Sequence, residues 1–354
     1  MQNHLTSIEL RRRFATAFRP HPLIYWGDLL VSVGVGWTAF TIGGRAQPGS
    51  LLHLGAITVA VAALLRAAVF IHELAHLKRG VLPGFETAWH VLVGLPMLLP
   101  SLMYVGSHSD HHRQTTFGTA ADPEYAPIAR WSYWRIAWFV VSVLAVPFLL
   151  VLRWGVLGPL SYFLPRLRRP VVERASTLVI NSDYHRPLLQ GRQVSRWLLQ
   201  ETAVTMVCWF VAVGGLAGWI PIHWLLQWYI VASGILLVNQ VRTLAAHRYG
   251  NNGTPLDLTA QLLDSVTLSG WAIPTVFAAP LGLRYHALHH LLPTVPYHSL
   301  GRLHRQLLRE LLPDAPYRRT QCGGILAAVR NLVQRASGDT NRLTTSNETT
   351  VSSP

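Results

Sequence analysis

Residues 51–76 read LLHLGAITVAVAALLRAAVFIHELAH. Positions 51–71 are apolar apart from His53 and Arg66, and about 20 such residues cross a bilayer as a helix. His-Glu-Leu-Ala-His occupies 72–76, so two imidazoles one helical turn apart stand where the apolar run stops. On the N-terminal side, 23–41 is apolar apart from Asp28, and the turn at 43–50 carries a single charge, Arg45. The two runs therefore read as a membrane hairpin. Downstream, 203–220 and 224–241 form a second hairpin joined at Pro221, with Trp219, Trp224 and Trp228 at the depth of an interfacial aromatic belt. Three further apolar stretches are less regular. The stretch 91–105 is short and holds Pro96 and Pro100, which predicts a partly inserted segment. The stretch 136–164 is broken by Arg153, Pro147, Gly155 and Pro159, and 266–283 by Pro274 and Pro280.

Composition agrees with a membrane protein. Half of the 354 residues are hydrophobic and 13% are charged, about half the charge of a soluble domain. Net charge is +14, and Lys78 is the only lysine among 30 basic residues. Nucleic-acid binding is disfavoured, because the arginines are scattered between apolar runs and line no single stripe. Seven arginines lie within 165–200 and four in the N-terminal tail (Arg11, Arg12, Arg13, Arg19), against one and none in the turns of the two hairpins. The positive-inside rule then puts both tails and the large loops in the cytoplasm. A single crossing by 136–164 would export the seven-arginine loop, so this stretch is expected to dip in and return, or to lie at the interface. The expected architecture is an all-α integral membrane protein with two transmembrane hairpins (four spans), re-entrant or interfacial helices and a cytoplasmic histidine-rich cap. No cleaved signal peptide is read at the N-terminus. Cys208 and Cys322 imply neither a disulfide framework nor a sulfur metal site.

The chemistry lies in the histidines. Four sites hold nine of the seventeen: His72 and His76; His108, His111 and His112; His247; and His286, His289 and His290. Positions i, i+3 and i+4 share a helix face. Imidazole suits iron, zinc, copper and nickel, and nine imidazoles exceed one tetrahedral zinc. They suit two metals with four or five nitrogens each. His247 has a plainer reading as a helix-end residue complementing the dipole. The remaining histidines, among them His90, His185, His298 and His304, read as ordinary interfacial or capping residues. Residues 72–76 also match HExxH, the zinc-protease motif, with Glu73 as general base. That reading leaves both HxxHH triplets unused, and the later spans lack the aspartate ligand it needs.

With its boxes HxxxH, HxxHH and HxxHH, the chain resembles the integral-membrane fatty acid desaturases from about residue 23 to 309. The run 289–298, His-His-Leu-Leu-Pro-Thr-Val-Pro-Tyr-His, is similar to the segment at and just after the family's third box, and His247 falls where the family carries a further histidine. The resemblance implies a desaturase-like domain over 23–310; charge makes 1–22 a basic cytoplasmic tail, and 311–354 reads as a C-terminal cytoplasmic segment whose Ser-, Thr- and Asn-rich composition predicts disorder from about 337. The resemblance implies two iron ions held by the nine histidines, O2 as co-substrate, and no catalytic side chain beyond the ligands. It also implies a fatty acyl or lipid substrate in the membrane. No fused cytochrome b5 domain is visible, so electrons would come from a separate donor, a ferredoxin or a cytochrome b5-like protein. Glu73, Asp110 and Asp264 are candidates for orienting ligand imidazoles through their second ring nitrogen. Arg242, Arg248 and Arg284 are candidates for holding a head group, or else are interfacial anchors. The stretch 115–125, which contains Asp122, reads as a cap loop with no assigned role. A lipid desaturase is the leading expectation. A hydroxylase or ketolase would use the same ligands, and a zinc protease or a non-enzymatic metal-handling protein would not consume oxygen. The arginine-rich composition points to a bacterial inner membrane.

Overall fold

A computed structural model describes residues 7–270 and 273–348, the side chains of 7, 8 and 337–348 excepted. Residues 1–6 of the basic tail and 349–354 of the C-terminal segment lie outside the described residues. The described chain is predominantly helical, and its named strands are two pieces of two residues each. Five helices are long and apolar enough to cross a membrane: Pro22–Arg45, Leu51–His76, Tyr133–Phe163, Arg192–Leu216 and Ile222–Leu244. Four of them are the arms of the expected hairpins. The fifth, Tyr133–Phe163, does not reverse direction as a re-entrant segment would; the other expectation, a helix lying at the interface, is untouched by this. The fifth helix is one run of helical turns, with a 3-10 turn at Ser142–Ala145 and a π turn at Arg153–Leu157. Such local adjustments let a membrane helix carry prolines such as Pro147 and Pro159.

The chain divides into two compact units, each assembled from segments distant in sequence. The first comprises Pro20–Asp110 and Val143–Leu237. Ser50 starts its helix Leu51–His76 by accepting a hydrogen bond from the His53 amide at 3.2 Å. Glycines let helices approach closely, as is common between membrane helices. A Cβ on Gly36 would lie 2.6 Å from Leu64, and one on Gly44 would lie 2.2 Å from the Trp224 ring. The charges that interrupt the apolar runs are paired with one another. Arg66 donates to Asp28 at 2.6 Å, and Arg153 to Glu201 at 2.9 Å. Glu201 also accepts from Arg168, Tyr162 and Trp197. Pairing is what makes charges tolerable in an apolar bundle. The short stretch 91–105 breaks into small turns, including the π turn His90–Gly94 and the 3-10 turn Ser101–Met103. Arg186 pins its exit by donating to the Leu102 and Val105 carbonyls, and so steadies the approach to His108.

The second unit comprises Met1–Arg19, His111–Ser142 and Val238–Pro354. Its described N-terminal residues are more than a basic tail. Leu10, Phe14 and Ala17, in and after the helix Ser7–Arg13, share a core with Leu288, Leu292, Leu300, Leu303 and Leu307. They therefore buttress the third-box helix His286–Leu291. Among the described residues of the apolar stretch 266–283 there is no long helix. Thr267–Leu268 pairs in parallel with Gln321–Cys322, and isolated bridges join His247 to Ser265 and Thr267 to Tyr285. This ladder ties the chain leaving the last long helix to the start of the third box. The C-terminal helix Ile325–Glu348 runs past residue 337.

Candidate metal centre

In the first unit, His72 and His76 lie on the last turn of Leu51–His76, and His108 lies on the short helix Ser107–His111. The Nε2 atoms of His76 and His108 are 2.9 Å apart, and the His72 ring centroid is 4.6 Å from that of His108. His108 Nδ1 pairs with the Tyr104 hydroxyl at 2.9 Å, so its second nitrogen is committed and Nε2 faces the other histidines. Glu73 is buried and accepts a hydrogen bond from Tyr25. Asp110 accepts one from Tyr184 at 2.8 Å.

In the second unit, one nitrogen from each of His111, His247, His286 and His290 lies within 4.8 Å of the others. His286 Nε2 is 2.8 Å from His247 Nε2 and 3.1 Å from His290 Nε2. His112 and His289 form a further pair with Nε2 atoms 3.0 Å apart. These spacings can be compared with a metal centre. Metal–nitrogen bonds of about 2.0–2.1 Å, set 90–110° apart, place neighbouring nitrogens roughly 2.9–3.4 Å from each other. Two nitrogens at that distance share at most one proton, whereas one cation satisfies both. The donor set therefore fits a metal ion at each unit's histidines.

Carboxylates stand against the second ring nitrogen of His111 and of His247. His111 Nδ1 lies 2.9 and 3.0 Å from the two oxygens of Asp122, which is fully buried. Burial alone would push the His111 pKa down; the charge and hydrogen bond of Asp122 override it and hold it above the ordinary value. The same carboxylate would stabilise a ring carrying a bound cation. Burial pushes His247 below its ordinary pKa, which favours the neutral form that binds metal. Its Nδ1 is 3.3 Å from Asp264, which in turn accepts from the Tyr125 hydroxyl at 3.0 Å. Burial, then the Asp264 charge, raises the Tyr125 pKa, so the phenol keeps its proton and donates it.

The sequence reading left Asp122 without a role, and also missed Tyr104 and Tyr125. The available signal was local: Asp122 precedes Pro123 and caps its own turn, accepting from the Glu124 amide at 2.9 Å. Of the three acids named from sequence, Asp264 stands against a candidate ligand; Glu73 accepts from Tyr25 and Asp110 from Tyr184. Of the arginines, buried Arg284 donates to the Leu268 and Gly270 carbonyls, a structural commitment, and Arg242 to Asn239 and Thr243.

The profile of the family described as fatty acid desaturase matches residues 48–322. The chain belongs to the fatty acid desaturase family. A ceramide hydroxylase of Caulobacter vibrioides (strain NA1000 / CB15N) is 41% identical over 317 residues, which is 89% of this chain and 90% of that protein. No solved structure matches. This desaturase-family chain is accordingly an oxidoreductase of the desaturase and hydroxylase type. Family membership sets aside the zinc-protease reading of 72–76.

Proposed function

We propose that this chain is an O2-dependent, di-iron membrane hydroxylase of a ceramide-class lipid. The observation that carries this reading over the desaturase expected from the sequence is the 41% identity to a ceramide hydroxylase over 89% of the chain. Desaturation of a lipid chain is the second reading, favoured by the family's own description. His111, His247, His286 and His290 hold one iron. His72, His76 and His108 are further candidate ligands in the first unit, and His112 and His289 in the second. The irons supply the oxidising power that breaks an unactivated C–H bond, which no acid–base side chain can do. Asp122 and Asp264 fix the rings of His111 and His247, and Tyr104 fixes that of His108. Hydroxylation consumes O2, two electrons and two protons, placing one oxygen in the lipid and the other in water. The electrons come from a separate ferredoxin or cytochrome b5-like carrier. In this reading the tails and histidine boxes face the cytoplasm of a bacterial inner membrane.

The test is expression in a host supplied with ceramide, beside His289→Ala, with lipids profiled by mass spectrometry and metals counted in the purified protein. A product one oxygen heavier, dependent on His289 and on two irons per chain, supports the proposal. A product lighter by two hydrogens moves the assignment to desaturation. Full activity in the variant, or a single zinc, refutes the metal assignment.

A further inference from the structure

One open cavity of about 100 Å³ in the second unit is lined by His247 together with Arg248, Gln321, Cys322, Asn331 and Arg335. It begins among exposed side chains of the C-terminal helix, Asn331 and Arg335, and ends on a candidate metal ligand. Its charge is one-sided. Arg248 and Arg335 both line it, and Arg319, whose carbonyl accepts from Arg248, stands beside its lining residue Thr320. Among the described residues, no ion pair joins any of these three guanidiniums to a carboxylate. The nearby Asp264 accepts from Tyr125 through one oxygen, and its other oxygen lies 3.3 Å from His247 Nδ1. Arg248 donates through Nη2 to the Arg319 carbonyl at 2.5 Å, while its buried Nε has no hydrogen-bond partner. A buried, unpartnered guanidinium nitrogen inside a basic cavity is costly unless an anion arrives. The floor is stiff, because Arg248 N bonds to Asp264 O at 2.7 Å and Thr267 pairs with Gln321.

We propose that this cavity is the docking point of the electron donor, a small acidic one-electron carrier protein whose carboxylate side chain enters between Arg248 and Arg335. This deepens the proposed function and rests on it. Each reduced carrier gives up one electron, which reaches the metal site at His247, and two carriers are oxidised per lipid oxidised. A protein partner is favoured over a lipid head group because the cavity opens at the C-terminal helix rather than along a candidate span, and because charge complementarity steers protein association.

The experiment uses the full-length holoenzyme in nanodiscs and an acidic [2Fe–2S] ferredoxin as probe. Binding and the rate of ferredoxin reoxidation are measured against ionic strength for wild type, Arg335→Glu and Arg319→Glu. Arg166→Glu, an exposed position in the other unit, carries the same change in net charge. The cavity variants should weaken ferredoxin binding about tenfold at low salt and flatten its salt dependence, with iron content and KM for lipid held. Arg166→Glu should change binding less than about twofold. A ferredoxin carrying a Glu→Lys reversal should recover affinity for Arg335→Glu. If Arg335→Glu and Arg319→Glu behave like Arg166→Glu while iron is retained, the docking point is refuted and the metal reading stands. A wild-type protein without iron overturns both.

Discussion

Replacing Asp122 by Asn is the sharpest probe of the centre. The two carboxylate oxygens of Asp122 are both within reach of His111 Nδ1; Oδ1 also accepts from the Glu124 amide at 2.9 Å and Oδ2 from the Gly118 amide at 2.8 Å. Asparagine nearly matches the shape but turns one oxygen into an NH2 group. Whichever way that amide is turned, its NH2 meets a backbone N–H, so one buried donor loses its acceptor. That costs about 1–3 kcal/mol of local stability. The His111 ring also loses the negative charge that favours a cation on it. Removing a partner of this kind lowers metal affinity by about 10–100-fold, or roughly 1.4–2.7 kcal/mol. The assay is iron content after dialysis against graded chelator, with circular dichroism to show retained helix. Asp122→Asn should release iron at about 10–100-fold lower chelator activity, and Asp122→Glu should recover part of the loss. Iron retention equal to wild type in a folded Asp122→Asn protein would refute the positioning role.

Two other changes test the fold. Arg153→Met leaves Glu201 with Arg168, Tyr162 and Trp197 and should cost about 2 kcal/mol, the worth of a hydrogen bond to a charged group; Arg153→Met with Glu201→Leu should recover much of the melting temperature in detergent, and equal losses in the single and double variants would refute the pairing argument. Buried His304, beside Tyr317 and near Arg284 and Arg305, has its pKa lowered to about 4, first by burial and then by those arginines. The unfolded chain therefore binds the proton more tightly, so this contribution is complete above the ordinary histidine pKa and is lost as pH falls from about 6.5 toward 4. Between pH 7.5 and 5 the loss is about 2 kcal/mol, and His304→Gln should flatten the acid limb of the melting curve by that amount; an unchanged limb would refute the assignment.

The desaturase-family membership and the histidine sets were legible along the chain because their signals are local. A bilayer-spanning helix needs only an unbroken apolar run, and three histidines at i, i+3 and i+4 meet on one face whatever lies around them. Reading 136–164 was harder, since Arg153 appears as an uncompensated charge until Glu201, 48 positions away, is seen beside it. The same limit hid Asp122 and the use of the tail. Asp122 is one acid among 16 in the sequence, and its turn looks like any other surface turn.

By itself the sequence determined a helical, basic membrane chain with nine histidines spaced for metal. Tertiary structure decided that Asp122 stands on the second ring nitrogen of His111, Asp264 on that of His247 and Tyr104 on that of His108. It set Tyr125 on Asp264, 139 positions away, and His247 across from Ser265. It also turned Leu10 and Phe14 into support for the third box and opened a basic cavity onto His247. These are long-range pairings of buried polar groups and packed faces. Their free energy depends on what the rest of the chain brings within about 3 Å, and spacing along the sequence does not carry that information.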